Sequence, residues 1–186
     1  MIQKSVLKDA LEIQRRFQSA LPFRHAAIKD FLEPQVAECL LSDFPAFDRK
    51  YAMNEMGEVG LKAVVKRAAR ISPSYKTFCD YINSQPFLNP MSELTGIPDL
   101  IADSTLFGGG THENRGGQHL DTRVDFNMDE RRMLHRRLNL LVYLNKDWND
   151  SWGGAIELHS NPRTPDCNEV KSFSPIFNRA VMFETN

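Results

Sequence analysis

Two stretches of this 186-residue chain, GQHLDTRVDFN at 117–127 and RRLNLLVYLN at 136–145, alternate their side chains with a period of two. In extended backbone, residues two apart share a face. The first stretch therefore gathers His119, Asp121, Arg123, Asp125 and Asn127 on one side and Leu120, Thr122, Val124 and Phe126 on the other. The second sets Leu138, Leu140, Val142 and Leu144 opposite Arg137, Asn139, Leu141 and Tyr143. Two architectures produce such a pattern: an antiparallel sheet with its polar face in water, or a barrel with a polar lumen. Alternation alone leaves both open.

Strand-like runs continue around these two, with STLFGG before them and GGAIELHS and NRAVMFET after, separated by Gly, Pro, Asn and Asp. The first hundred residues have the helical period instead. Val6, Ala10, Ile13, Phe17 and Leu21 predict an amphipathic helix over 5–21, capped by Ser5. PFRHAAIKDFL at 22–32 is short and strand-like, and Pro34 then opens a helix carrying Val36, Leu40 and Phe44, stopped by Pro45. Ser72-Pro73 opens another pattern at 74–83, and a further one at 86–95 stops at Gly96. Residues 46–71, with Lys62, Lys66, Arg67 and Arg70, read as a loop beside a site or as solvated surface. Helices followed by closely spaced strands predict an α+β class, in one domain over 1–186: helical support to residue 100, then a β core.

Charge narrows the function. With 23 Lys+Arg against 24 Asp+Glu the net charge is -1, so neither nucleic acid nor an anionic membrane surface is the expected partner. A small molecule or a peptide is, and oligomeric state is not legible. Cys39, Cys79 and Cys167 form no CxxC pair and read as reduced, buried thiols. The N-terminus lacks the apolar core of a signal peptide, so a cytoplasmic location is expected.

His119-Leu120-Asp121 is a literal His-x-Asp, whose two side chains sit about 6.6 Å apart along a strand and can reach one metal. Three residues are a weak motif, and a surface pair explains them as well. Gly108–Gly110 precedes no helix and no GK[ST], which excludes a phosphate loop. His25, His112, His135 and His159 make no ligand spacing and read as surface or hydrogen-bonded side chains.

Taken in order, FGGGTHEN at 107–114, GQHLDTRVDFN, RRLNLLVYLNKDW at 136–148, WGGAIELHS at 152–160 and FNRAVMFETN at 177–186 make the chain resemble the prolyl 4-hydroxylase-like iron(II)/2-oxoglutarate dioxygenases over about residues 20–186. FLEPQVAECLLSDFP at 31–45 resembles the helix that opens this domain. The resemblance implies a double-stranded β-helix, jelly-roll or cupin-like, with N-terminal helices packed outside. It also implies iron(II), 2-oxoglutarate as cosubstrate, ascorbate as a further cofactor, and hydroxylation of an unactivated C–H bond.

Aligned on DFN, the resemblance puts Asp125 at the metal carboxylate and Arg123 where the family has a His. It puts Tyr143 at the far carboxylate of 2-oxoglutarate, with Asn139 and Ile156 beside it. An Arg is no ligand, since it keeps its proton, and its natural partner here is Asp125. In the alternative metal pair, His119 and Asp121, His119 lies six residues from Asp125, about 20 Å along an extended strand, so the two pairs do not share one metal. The family's distal His and its 2-oxoglutarate Arg would fall beyond Asn186, so the last strands are expected to be missing. Two functions follow: an oxygenase present as an incomplete copy, or a non-catalytic binding module of the same fold whose iron site is lost.

Overall fold

A computed structural model describes residues 1–52, 62–106, 109–118, 122–130, 132–161 and 163–185. The first expected helix is two. The Gln3 side chain accepts from the Lys4 N–H at the start of α1 (Lys4–Lys8), so the cap is Gln3 and not Ser5. Asp9 turns the chain before α2 (Ala10–Ser19) and its carbonyl accepts from Glu12 and Ile13. Val6, Ile13 and Phe17 are buried as expected, whereas Leu21 lies beyond the helix, exposed. α3 (Pro34–Ser42) follows β1 (His25–Ile28), with Pro34 in its first turn where a missing N–H does no harm. α4 (Pro73–Ile82) is capped by Ser72 Oγ accepting from Tyr75 N–H at 3.2 Å. α5 (Gln85–Thr95) ends at Gly96, whose φ of 69° is a left-handed conformation that glycine adopts without strain.

Two strands appear where the 46–71 stretch and the Gly-rich run meet: β2 (Ala63–Val65) pairs antiparallel with β3 (Thr111–Glu113). Gly110 permits this, since at φ 141° a Cβ would stand 2.4 Å from the Val65 carbonyl oxygen. A short hairpin of β4 (Met128–Asp129) and β5 (Leu134–His135) precedes β6 (Leu138–Val142). β7 (Ile156–His159) pairs with β8 (Val170–Phe173), a strand the sequence pattern did not announce. β9 (Ala180–Glu184) completes the set, inserted between β1 and β6 in a three-stranded antiparallel sheet.

The register of that sheet sorts its two faces. Ala26, Met182 and Leu140 form one row across the strands, and Ile28, Ala180 and Val142 another. Both rows pack into a hydrophobic cluster with Phe17, Phe31, Leu32, Met91 and Leu94 from the helical half. Each of those large side chains is fully buried and contributes about 1.5–3 kcal/mol through the surface it removes from water. Leu138, Leu140 and Val142 thus pack against the helices, as the alternation predicts. The opposite face carries His25, Phe183 and Asn139 in one row, and the His25 ring meets Phe173 of β8 edge-on at 5.4 Å.

Three expectations need correction. Residues 122–127 form no strand, and Val124, assigned to the apolar face of one, is 88% exposed. Alternation supplies side-chain order, but a strand also needs a ladder partner, and 122–127 pairs with none among the described residues. Among the described residues the β-helix is not closed: their strands form one three-stranded and three two-stranded antiparallel sheets, resembling a jelly-roll core without joining into a barrel. Finally, only Cys79 of the three free thiols is buried; Cys39 and Cys167 are exposed. No helix among the described residues is long and apolar enough to cross a membrane.

Candidate functional site

β6 fixes the site's centre. Asn139, on the face turned away from the helices, donates through Nδ2 to Asp125 Oδ2 at 3.1 Å. Arg136, just ahead of the same strand, reaches that oxygen with Nη1 at 3.5 Å and lies over the Phe126 ring at 4.4 Å. Arg123 Nε stands 3.6 Å from Asp125 Oδ1. Side-chain contacts of Asp125 and Phe126 thus hold a segment that no ladder holds. Asp125 and Arg136 are mostly enclosed, while Arg123 keeps about half of its side chain in solvent.

The β2–β3 pair carries further charge to this place. Lys62 precedes β2, and its ammonium donates to His112 Nδ1 of β3 at 3.3 Å. Burial pushes the Lys62 amine down, Arg123 adds to the shift by repulsion, and Asp125 opposes it. Burial likewise lowers Arg136, with Asp125 acting against it and Arg123 with it. The guanidinium nonetheless stays charged at neutral pH. His112 is pushed down to about 4, first by lost solvation and then by Lys62 and Arg123. Among the described residues the result is a neutral imidazole beside Lys62 and Arg123, in a cluster where Lys62, Arg123 and Arg136 all meet the charge of Asp125.

His112 accordingly gives a stability signature of definite sign. Its folded pKa of about 4 lies below the ordinary value near 6.5, so between those values the unfolded chain binds the extra proton. The stabilisation is fully present above about pH 6.5 and is lost as pH falls toward 4. An NMR titration of the His112 ring should show the depressed midpoint, and Lys62→Met should move it upward. A midpoint near 6.5 in the unmodified chain would refute this electrostatic picture.

The remaining expected site residues are dispersed. Tyr143 follows β6, its backbone paired with Asn178 and Arg179, and burial raises its phenol to about 12 with Arg179 opposing. Ile156 begins β7, in a different sheet from β6. His119 and Asp121 lie outside the described residues. Lys62 and Arg136 were not singled out by motif, and His112 was read as an ordinary polar histidine. The signal for the first was the basic stretch at 62–70, and for the second the Arg pair at 136–137 that opens the longest alternating run.

Iron(II) needs a set of donors with free lone pairs, commonly two imidazoles and one carboxylate on adjacent positions. At Asp125 both oxygens already meet cationic or amide donors, and two guanidinium charges occupy the surroundings. Among the described residues no group of three or more His, Cys, Asp or Glu is placed to hold a metal ion. The residues described at this place do not fit the metal.

Residues 109–186 match the family model of the 2OG-Fe(II) oxygenase superfamily. Among solved structures, the chain is similar to a prolyl hydroxylase from Trichoplax adhaerens, determined in complex with a hypoxia inducible factor oxygen degradation domain peptide fragment. That likeness has a TM-score of 0.58 at 15% identity, covering 98% of this chain and 80% of the other. At that identity it bears on fold, and the fold agrees: N-terminal helices against a β1–β9–β6 sheet, with the smaller sheets beyond. Residues 109–186 are therefore similar to the 2OG-Fe(II) oxygenase superfamily, and the chain as a whole resembles the prolyl-hydroxylase-like double-stranded β-helix in fold.

Proposed function

We propose that the chain is a non-catalytic binding module built on the oxygenase fold, taking a small molecule or a peptide on the face of β6 and β9 turned away from the helices. The observation that carries this is the engagement of Asp125 by Arg123, Arg136 and Asn139 at the position where the resemblance puts the metal carboxylate. A dication brought there would displace charge-assisted contacts and meet two guanidinium groups at short range. The similar prolyl hydroxylase was determined with a bound peptide, which supports a ligand of peptide size.

Anaerobic titration with iron(II) and 2-oxoglutarate should develop no metal-to-ligand absorption band, and oxygen uptake should stay at background. Arg123→His alone should restore neither, because Arg136 and Asn139 still hold Asp125. Tight iron binding with 2-oxoglutarate turnover in the unmodified chain would overturn the proposal and direct attention to His119 and Asp121.

A further inference from the structure

The chain has two tryptophans, Trp148 and Trp152, and both follow β6. Their rings meet edge-on at 5.5 Å and 80°, and Trp152 keeps 65% of its surface in solvent. Tryptophan is among the residue types most enriched at the energetic centres of binding surfaces. Beside Trp148 a cavity of about 630 Å³ opens between the segment after β6 and the one before β9, with Asp147, Asp150 and Arg179 in its wall. Asn139, which engages Asp125, lies toward the other end of β6, so the two places are distinct.

Two donors of that wall have no acceptor. Trp148 Nε1 and Arg179 Nε are buried and bonded to nothing, although Arg179 donates through Nη1 to the Ser174 carbonyl at 2.7 Å. Each has already lost its hydration, so an acceptor brought to it gains a bond without stripping water from the donor. The carboxylates set the opposite requirement. Asp147 and Asp150 stand in no ion pair among the described residues, not even with Arg179, and the neighbouring Lys146 is held by Glu38 at 2.7 Å. Two carboxylates against one guanidinium favour a cation at this place.

Acceptors for the buried donors and a cation for the carboxylates are what a peptide offers around a basic residue. The exposed Trp152 ring selects arginine, whose planar guanidinium both stacks on aromatic faces and pairs with carboxylates. We propose that this cavity docks an arginine-bearing segment of a protein partner. The guanidinium lies against Trp152 and pairs with Asp147 and Asp150, and main-chain carbonyls beside it accept from the Trp148 Nε1–H and the Arg179 Nε–H. Neither Asp125 nor a metal takes part.

Because both tryptophans of the chain stand here, their emission reports on the place without a label. Titration of the full chain with acetyl-Ala-Arg-Ala-amide should change that emission saturably, shift the Trp148 indole N–H resonance downfield, and weaken with added NaCl. Affinity should fall about tenfold or more when Asp147→Asn and Asp150→Asn are combined, and likewise in Trp152→Ala, through lost charge-assisted and stacking contacts. Asn suits the φ of 54° at position 147, and thermal melts should show all variants folded. Arg15→Gln, on the exposed side of α2, should leave binding unchanged. No saturable change, or binding indifferent to the loss of both carboxylates, overturns the proposal. Equal binding of acetyl-Ala-Leu-Ala-amide overturns the choice of arginine, and an equal indole shift with acetate alone overturns the carbonyl contact. The iron titration judges the module reading separately from all of these.

Discussion

Asn178→Leu should lower the unfolding free energy by roughly 3–5 kcal/mol, from two buried groups left unpaired and one backbone conformation that Leu tolerates poorly. Asn178 is 3% exposed, and its amide side chain makes a reciprocal pair with Leu32: Oδ1 accepts from the Leu32 N–H at 2.9 Å and Nδ2 donates to the Leu32 carbonyl at 2.8 Å. Its own carbonyl accepts from the Phe31 N–H. With φ at 55°, the position favours Asn or Gly. Asn178→Gly should therefore be milder than Asn178→Leu, keeping the turn while losing the two side-chain bonds. Urea unfolding followed by circular dichroism measures both, and a loss below about 1 kcal/mol for Asn178→Leu would show that these bonds do not join the helical half to the sheet.

Phe17→Ala should be comparably severe, at about 3–5 kcal/mol, because the ring is fully buried and its removal leaves a cavity as well as losing transfer energy. Phe17 lies in the cluster that joins α2 and α5 to the Met182 side of the sheet. Against a total stability of about 5–15 kcal/mol, either substitution consumes a large share. Phe17→Leu should lose much less, since most of the volume remains. Equal losses for Ala and Leu, read from the same urea transitions, would contradict a cavity origin.

Local chemistry explains why the helical half was legible. Ser72-Pro73 and Gly96 bracket α4 and α5 because a cap and an αL residue act within one turn of the residues they terminate. β6 was legible for another reason: its apolar members meet one large core, so the period of two is enforced along the whole strand. β2 and β8 were not, being three and four residues long and defined by partners distant in sequence. The 122–127 segment misled because its alternating side chains answer to Arg136 and Asn139 and not to a ladder. For the same reason the Arg123–Asp125 pair could be read from the chain, whereas the approach of Lys62 and His112 depends on the β2–β3 pairing.

The place of β9 has a consequence for how the molecule comes to be made. It is the last described strand in sequence and the middle one in space, pairing with β1 across more than 150 residues of chain. Until it leaves the ribosome, β1 and β6 have no shared neighbour, and the helices have no Met182 or Ala180 to close upon. Closing so long a loop before any reward is collected slows folding and prolongs the exposure of unpaired edges. A nascent chain of this kind keeps its edges unpaired until β9 has emerged, and a stalled one resembles an unfinished sheet looking for any strand.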